Sequence, residues 1–116
     1  MKKFNIAMLF LALPCMIFAD AESDLRHALD QVHDNGSLKI GSDFQNRGQY
    51  HEQIRSEERQ KIADAVTANP NDPGVSKVKN EFESDKLLYT KADFDKATTS
   101  TDVNNILNIE ADHIAG

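Results

Sequence analysis

The sequence predicts an all-α fold: a small bundle of three to four antiparallel helices with one irregular loop at about 36–49, after a cleaved signal peptide. Two observations predict it. Apolar residues recur at helical spacing in four segments, and residues that favour helix N-caps precede the later segments. The chain after the signal is long enough for one domain and too short for two. We therefore divide it into a signal peptide, 1–21, and a single small helical domain, 22–116.

The first segment has the three parts of a signal peptide. Two lysines open the chain, the apolar run Ile6–Phe18 follows, and Ala-Asp-Ala at 19–21 provides small residues for cleavage. A signal core needs about 7–15 apolar residues, whereas a membrane-spanning helix needs about 20. We expect cleavage after Ala21, with cleavage after Ala19 or an uncleaved anchor as alternatives. This predicts a bacterial protein, periplasmic or secreted, without stable membrane insertion once the signal is removed.

Cys15, the only cysteine, lies inside that apolar run. Leu13-Pro14-Cys15 faintly resembles a lipoprotein signal, but Pro14 stands where such a signal has a small residue. Cleavage after Ala21 leaves no cysteine, and therefore no disulfide, thiol nucleophile or thiolate metal site. We expect the domain to fold on its apolar core alone or with a partner.

The chain is acidic, with a net charge of −6. Residues 1–21 sum to +1, which leaves −7 on residues 22–116. A phosphate backbone or an anionic lipid surface repels such a charge, so nucleic-acid and lipid partners are disfavoured and a partner with a basic patch is favoured. Leu, Ile, Val and Phe make up only about a fifth of 22–116, close to the content of disordered chains. This thin core predicts modest stability and association with another protein or with itself.

The first helix is predicted over 21–34, because its apolar positions fall within one stripe at about 100° per residue. Those positions are Ala21, Leu25, Ala28, Leu29 and Val32. Asn35-Gly36 is a pair suited to a helix stop. The segment 36–49 contains three glycines and no helical period, which predicts the loop. Leu38 and Ile40 alternate with polar residues there and permit one very short strand.

The later helices follow from their caps and breaks. A second helix is predicted over 50–68, where Asn69-Pro70 breaks it. Asp72-Pro73 is typical of an N-cap followed by proline at the first helical position. A third helix is predicted from there to about Tyr89, with a bend or an end near Lys86 as the alternative, because Leu87 and Leu88 fall off its apolar stripe. Thr90 caps a short turn that carries Phe94. A run of Ser and Thr at 98–101 precedes the fourth helix, whose apolar positions are Val103, Ile106, Leu107 and Ile114.

Three carboxylate–histidine pairs have a spacing that places both side chains on adjacent turns of a helix. They are Asp24/His27, Asp30/His33 and Glu110/His113. Metal sites in helical bundles use this spacing, but His27 points away from the first apolar stripe and His33 lies near its edge. Acidic residues are frequent enough in this chain for such pairs to arise by chance. We therefore interpret them as surface histidines with weak ion pairs.

Glu58 and Glu110 fall within the apolar stripes of their helices, where an unpaired carboxylate is costly. Arg55 precedes Glu58 by three residues, and His51 precedes it by seven on the same side. One interpretation is a buried carboxylate with a raised pKa, which would respond to acid. The other is that the stripes reach the surface, where the carboxylates meet water or Arg55.

The function that these observations favour is an exported, non-enzymatic accessory protein that binds another protein, such as an inhibitor, immunity, envelope-assembly or stress-chaperone factor. No catalytic or cofactor-binding motif occurs in the sequence, so we expect neither enzyme activity nor a cofactor. The candidate partner-binding residues lie in and beside the loop: Leu38, Ile40, Phe44, Arg47 and Tyr50. The alternative is a periplasmic protein that binds a small ligand or a metal through His51, Glu58, Glu110 and His113.

Overall fold

The computed structural model describes residues 20–84 and 89–116, which form an all-helical fold without β-strands. Two long helices come first, α1 (Ala21–Ser42) and α2 (Arg47–Ala68), joined through a 3-10 turn at Phe44–Asn46. Three shorter helices follow: α3 (Pro73–Phe82), α4 (Lys91–Lys96) and α5 (Ser100–Ala115). The all-α class predicted from the sequence is confirmed. Positions 1–19 of the predicted signal peptide lie outside the described residues.

Polar side chains start four of these helices. Asp72 accepts hydrogen bonds from the backbone nitrogens of Gly74 and Val75 at 2.8 and 3.1 Å, with Pro73 at the first helical position. Such caps satisfy the backbone donors that a helix leaves free at its beginning. The other side-chain caps are Asp20 of α1, Thr90 of α4 and Thr99 of α5. The caps predicted at Asp72 and Thr90 are confirmed.

The loop predicted at 36–49 is largely helical, which corrects the prediction. α1 continues through Gly36 to Ser42, and α2 already begins at Arg47. Gly36 is buried, and a Cβ atom at this position would overlap the side chain of Ile54 on α2. The glycine therefore lets two helices approach closely, and it does not stop the first one. The short strand permitted at Leu38 and Ile40 is absent because both residues belong to α1.

The third helix is shorter than predicted. α3 ends at Phe82, and residues 85–88, where the sequence predicts its continuation, lie outside the described residues. The short turn predicted after Thr90 is confirmed as α4. The Thr90 and Asp93 side chains each accept a hydrogen bond from the other residue's backbone nitrogen, which explains why so short a helix begins there. α4 carries the fully buried Phe94.

Two apolar clusters form the core. The first lies toward the beginning of α1, and its buried members are Leu25, Leu29, Ile62, Val75, Val78, Phe82 and Ile114. The second lies toward the end of α1, and its buried members are Val32, Ile40, Ile54, Phe94, Ala97, Val103 and Leu107. Buried carboxylates separate the two clusters along α2 and α5. Glu58 follows Ile54 by four residues, and Glu110 follows Leu107 by three.

Arg26 joins the beginning of α1 to the end of α5. Its guanidinium donates to the Ile114 carbonyl at 2.9 Å and forms ion pairs with Glu22 at 3.0 Å and with Glu81 of α3 at 2.9 Å. α5 is therefore antiparallel to α1. Among the helices in the described ranges, none combines the length and the apolar character that crossing a membrane requires.

Candidate functional site

Four titratable side chains lie buried where α1, α2 and α5 meet. They are His33, His51, Glu58 and Glu110. The most exposed of them, Glu110, keeps only 8% of its accessible surface. Burying a charged or polar group is costly unless it is paired, so the partners of each side chain decide what this cluster does.

Glu110 is the centre of the cluster. Its Oε2 atom accepts a hydrogen bond from His51 Nε2 at 2.7 Å, and its Oε1 atom accepts one from His33 Nε2 at 3.3 Å. The carboxylate reaches both histidines because it lies within the apolar stripe of α5, between Leu107 and Ile114. One side chain of α5 thereby joins both α1 and α2.

His51 combines an apolar setting with one unused nitrogen. Its ring stacks on Phe94 of α4, with the ring centroids 3.9 Å apart and 16° between the planes. Among the described residues, His51 Nδ1 is the only buried side-chain nitrogen or oxygen without a hydrogen-bond partner. A proton on Nδ1 would have no acceptor, so the geometry favours a neutral ring whose proton is on Nε2 and faces Glu110.

Glu58 pairs with Arg55 on the same helix. Arg55 Nη1 donates to Glu58 Oε1 at 2.5 Å, and its Nη2 lies 3.5 Å from the Phe82 carbonyl of α3. The guanidinium carbon also lies 5.9 Å from the centroid of the Phe82 ring. Each interpretation of the sequence holds in part, because the carboxylate is buried and Arg55 reaches it.

These surroundings shift the pKa of three groups. Burial by itself would lower the pKa of His33, but the hydrogen bond and charge of Glu110 outweigh burial and raise it. Burial opposes ionisation of Glu110, yet hydrogen bonds from His33 and His51 hold the pKa of this carboxyl below its ordinary value. Burial raises the pKa of Glu58, and the charge of Arg55 offsets this only in part. The cluster therefore favours an ionised Glu110 beside a histidine that takes up a proton readily.

The structure brings together part of the metal-binding group considered from the sequence. His51 and Glu110 are in contact, and Glu58 lies close enough for its charge to act on Glu110. His113 lies elsewhere, since its ring stacks on Phe82 at 4.8 Å and its Nε2 atom donates to the Glu81 carbonyl at 3.0 Å. Across 20–84 and 89–116, no group of three or more His, Cys, Asp or Glu side chains is arranged to hold a metal ion.

The interpretation of all three spaced histidines as surface residues is wrong for His33, and it holds only in part for His113, which is half-buried against Phe82. His27 is exposed and accepts a hydrogen bond from the Gln31 amide, as the helical period predicts. His33 is buried and pairs with Glu110 of α5 instead of the nearby Asp30. The only indication of this burial in the sequence is the position of His33 at the edge of the first apolar stripe. The side chain that buries it is distant in sequence, so the stripe alone does not reveal the pair.

The five candidate partner-binding residues do not form one exposed surface. Leu38 keeps 73% of its accessible surface, whereas Ile40 is buried in the second apolar cluster. Phe44 is half-buried against that cluster and lies under the Arg47 guanidinium, with 4.6 Å between the ring centroid and the guanidinium carbon. The Tyr50 hydroxyl donates to the Asp43 carboxylate at 3.0 Å.

Arg47 has a structural role at the end of α4. Its Nε atom donates to the carbonyls of Phe94 and Ala97 at 2.7 and 2.8 Å, and its Nη2 atom donates to the Asp95 carbonyl at 2.9 Å. Carbonyls at a helix C-terminus have no partner within the helix and carry partial negative charge. Arg47 therefore holds α4 against the beginning of α2.

A groove of about 120 Å³ lies between the end of α1, the 3-10 turn and the beginning of α5. Its apolar lining residues are Ile40, Phe44 and Val103, and its polar lining residues are Ser37, Ser100 and Asn104. Gly41 completes the lining and adds no side chain. Leu38 itself does not line the groove, but it lies on the same stretch of α1 as the lining residues Ser37 and Gly41.

No protein-family model matches this chain, and no curated protein or solved structure shows a significant match to it.

Proposed function

We propose that this chain is an exported, non-catalytic protein that binds another protein through a surface centred on Leu38. The observation that carries the proposal is the exposure of this leucine, 73%, on the stretch of α1 whose residues Ser37 and Gly41 line the groove between α1 and α5. Single exposed apolar residues are common on proteins, but an apolar side chain next to a groove is a feature of interaction surfaces. The groove offers apolar walls and, in Ser37, Ser100 and Asn104, polar groups that orient a bound segment.

The charge of the chain indicates the chemistry of the partner. Residues 22–116 carry a net charge of −7, with acidic and basic residues intermingled, and this excess of acidic residues favours a partner that presents a basic patch. Electrostatic attraction of this kind accelerates association and weakens as salt is added. We therefore expect binding to be stronger at low ionic strength.

The buried cluster supports a non-catalytic function. Glu110 uses both carboxylate oxygens on His33 and His51, and all three side chains are enclosed by the bundle. A general base or nucleophile has to reach its substrate, whereas these groups reach one another. This arrangement favours a role in holding the helices over a role in chemistry.

A binding experiment with variants of two exposed apolar residues tests the proposal. The purified chain is immobilised and exposed to bacterial envelope extract at low and moderate salt, beside Leu38→Asp and Ile109→Asp. Ile109 on α5 is the matched control, because it is the other large apolar side chain exposed in the described ranges, at 44%. Circular dichroism verifies that both variants fold.

We expect one stoichiometric partner that the unaltered chain and Ile109→Asp retain, that Leu38→Asp loses, and that added salt releases. Failure to retain any stoichiometric partner contradicts the proposal, as does equal retention by both variants. Phe44→Ala and Tyr50→Ala serve a different purpose, since both side chains pack against the second apolar cluster. We expect these substitutions to lower the stability of the fold, and any loss of binding to follow from that lower stability.

A further inference from the structure

The contact of α5 with α1 and α2 depends on the protons of two histidines. Each histidine donates to Glu110 through Nε2, so each must carry a proton on that atom. Glu110 lies between apolar residues of α5, and losing a donor would leave a charged oxygen there without a partner. The packing of α5 is therefore linked to the protonation of this cluster.

His33 is the histidine that takes the additional proton. His51 is enclosed and stacked on Phe94, and its free Nδ1 atom has no acceptor within reach. Among the described residues, neither ring nitrogen of His33 is a buried atom without a hydrogen-bond partner. A proton added to His33 places a full positive charge opposite the Glu110 carboxylate and strengthens their hydrogen bond.

Most of the charged groups around the cluster favour the protonation of His33. They are Asp34 on α1, Arg55 and Glu58 on α2, Asp93 on α4 and Glu110 on α5. Glu110, Glu58 and Asp34 favour a protonated His33, whereas Asp93 acts on His51. The opposing charge of Arg55 is paired with Glu58 at 2.5 Å. α3 approaches this region through the Phe82 carbonyl, which faces Arg55.

We propose that the His33–Glu110–His51 cluster is a proton-operated latch, in which proton uptake by His33 fastens α5 to α1. Mildly acidic surroundings close the latch. Neutral to alkaline surroundings loosen it by removing that proton, and strongly acidic surroundings loosen it by protonating Glu110. The proposal does not depend on the binding surface around Leu38.

The direction of each effect follows from proton linkage. The pKa of His33 is raised, so its contribution to stability is complete below the ordinary value of 6.5 and is lost as the pH rises through the folded value. The pKa of Glu58 is also raised, so its contribution is complete below 4.5 and declines in the same direction. The pKa of Glu110 is lowered, so its contribution is complete above 4.5 and is lost as the pH falls through the folded value. The three contributions are complete together only near pH 4.5. Stability falls below that pH as Glu110 is protonated, and it falls above that pH, first with Glu58 and then with His33.

Thermal unfolding at several pH values tests the latch, with His33→Gln compared with His27→Gln. His27 is a matched control, because it lies on the same helix, also follows an aspartate by three residues, and is exposed. For the unaltered chain we expect the unfolding midpoint to fall as the pH is raised from about 6 to about 8. His27→Gln should follow the same profile, and His33→Gln should lose most of this dependence and keep only the part that comes from Glu58.

A measurement on the unaltered chain keeps the proposal testable if His33→Gln does not fold. Nuclear magnetic resonance follows the His33 imidazole, and we expect it to titrate above the ordinary value of 6.5. Protection of α5 amides against hydrogen exchange should also fall several-fold between about pH 6 and 8. An unfolding midpoint that stays constant over this interval overturns the latch, and so does a His33 that titrates at or below 6.5.

Discussion

At the scale of the residue, burial decides which ion pairs matter to this fold. The pairs Lys79–Glu83 and Lys91–Asp95 are at least two-fifths exposed on each side, so water screens them and they contribute little. Arg55 and Glu58 keep only 11% and 3% of their side-chain surface. Water does not replace a lost partner at such a depth, so removing one member leaves the other charge uncompensated.

We predict that Arg55→Met lowers the free energy of unfolding by about 3 kcal/mol at neutral pH, because Glu58 remains buried without its partner. Urea unfolding followed by circular dichroism measures the loss. Adding Glu58→Leu to Arg55→Met should recover much of it, since no buried charge then remains. Lys79→Met removes an exposed pair and should change the same quantity by less than about 0.5 kcal/mol. Similar losses for Arg55→Met and Lys79→Met would show that burial does not separate these pairs.

At the scale of the element, α1 shows that two glycines in one helix serve different purposes. Gly36 faces α2, where a Cβ atom would overlap the side chain of Ile54. Gly41 is exposed, and a Cβ atom there would meet nothing within 4 Å. Both have helical backbones, so only the neighbouring helix distinguishes them.

We predict opposite effects for alanine at these two positions. Gly36→Ala should lower the free energy of unfolding by about 1 kcal/mol, because the overlap with the buried Ile54 outweighs the gain in helix propensity. Gly41→Ala should raise it by about 0.5–1 kcal/mol, since only the propensity changes. Chemical unfolding of both variants at one pH measures the difference. A stabilised Gly36→Ala protein would mean that α1 and α2 do not approach as closely as described.

At the scale of the whole molecule, a polar layer between two apolar clusters organises the bundle. Its hydrogen bonds require one relative placement of α1, α2 and α5, whereas apolar contacts alone tolerate several. Hydrogen bonds to Glu110 occupy the Nε2 atoms of His33 and His51, and the Nδ1 atom of His51 is buried beside the Phe94 ring, so neither nitrogen of His51 is open to a metal ion. His113, the remaining candidate ligand, is engaged with Phe82 and Glu81.

We predict that zinc, copper or nickel leaves the unfolding midpoint unchanged, because binding would have to break the hydrogen bonds of Glu110 first. A ligand that binds the folded state raises the midpoint as its concentration increases, so a thermal titration measures the effect directly. His27→Gln controls for weak binding at the exposed histidine. A saturating rise that persists in His27→Gln and disappears in Glu110→Gln would restore the metal-binding alternative.

Local signals in the sequence were sufficient for the helical class and for several boundaries. Asp72-Pro73 and Thr90 mark helix beginnings through bonds within a few residues, and both predictions are confirmed. The helix stop at Gly36 is wrong because the role of this glycine depends on Ile54, which lies on another helix. His33 escaped prediction for a related reason, since its partner Glu110 is 77 residues away. Glu110 itself was identifiable, because a carboxylate within an apolar stripe is visible without the fold.

The contact between Arg26 and Ile114 has a consequence for protein engineering. The beginning of α1 and the end of α5 pack on the same apolar cluster, so a short linker is long enough to join them. The chain could then be opened at the exposed turn of Pro70 and Asn71, between α2 and α3. Such a circular permutant would keep the five described helices and their buried contacts. Its new termini would place a label or a fusion partner at the far end of α2.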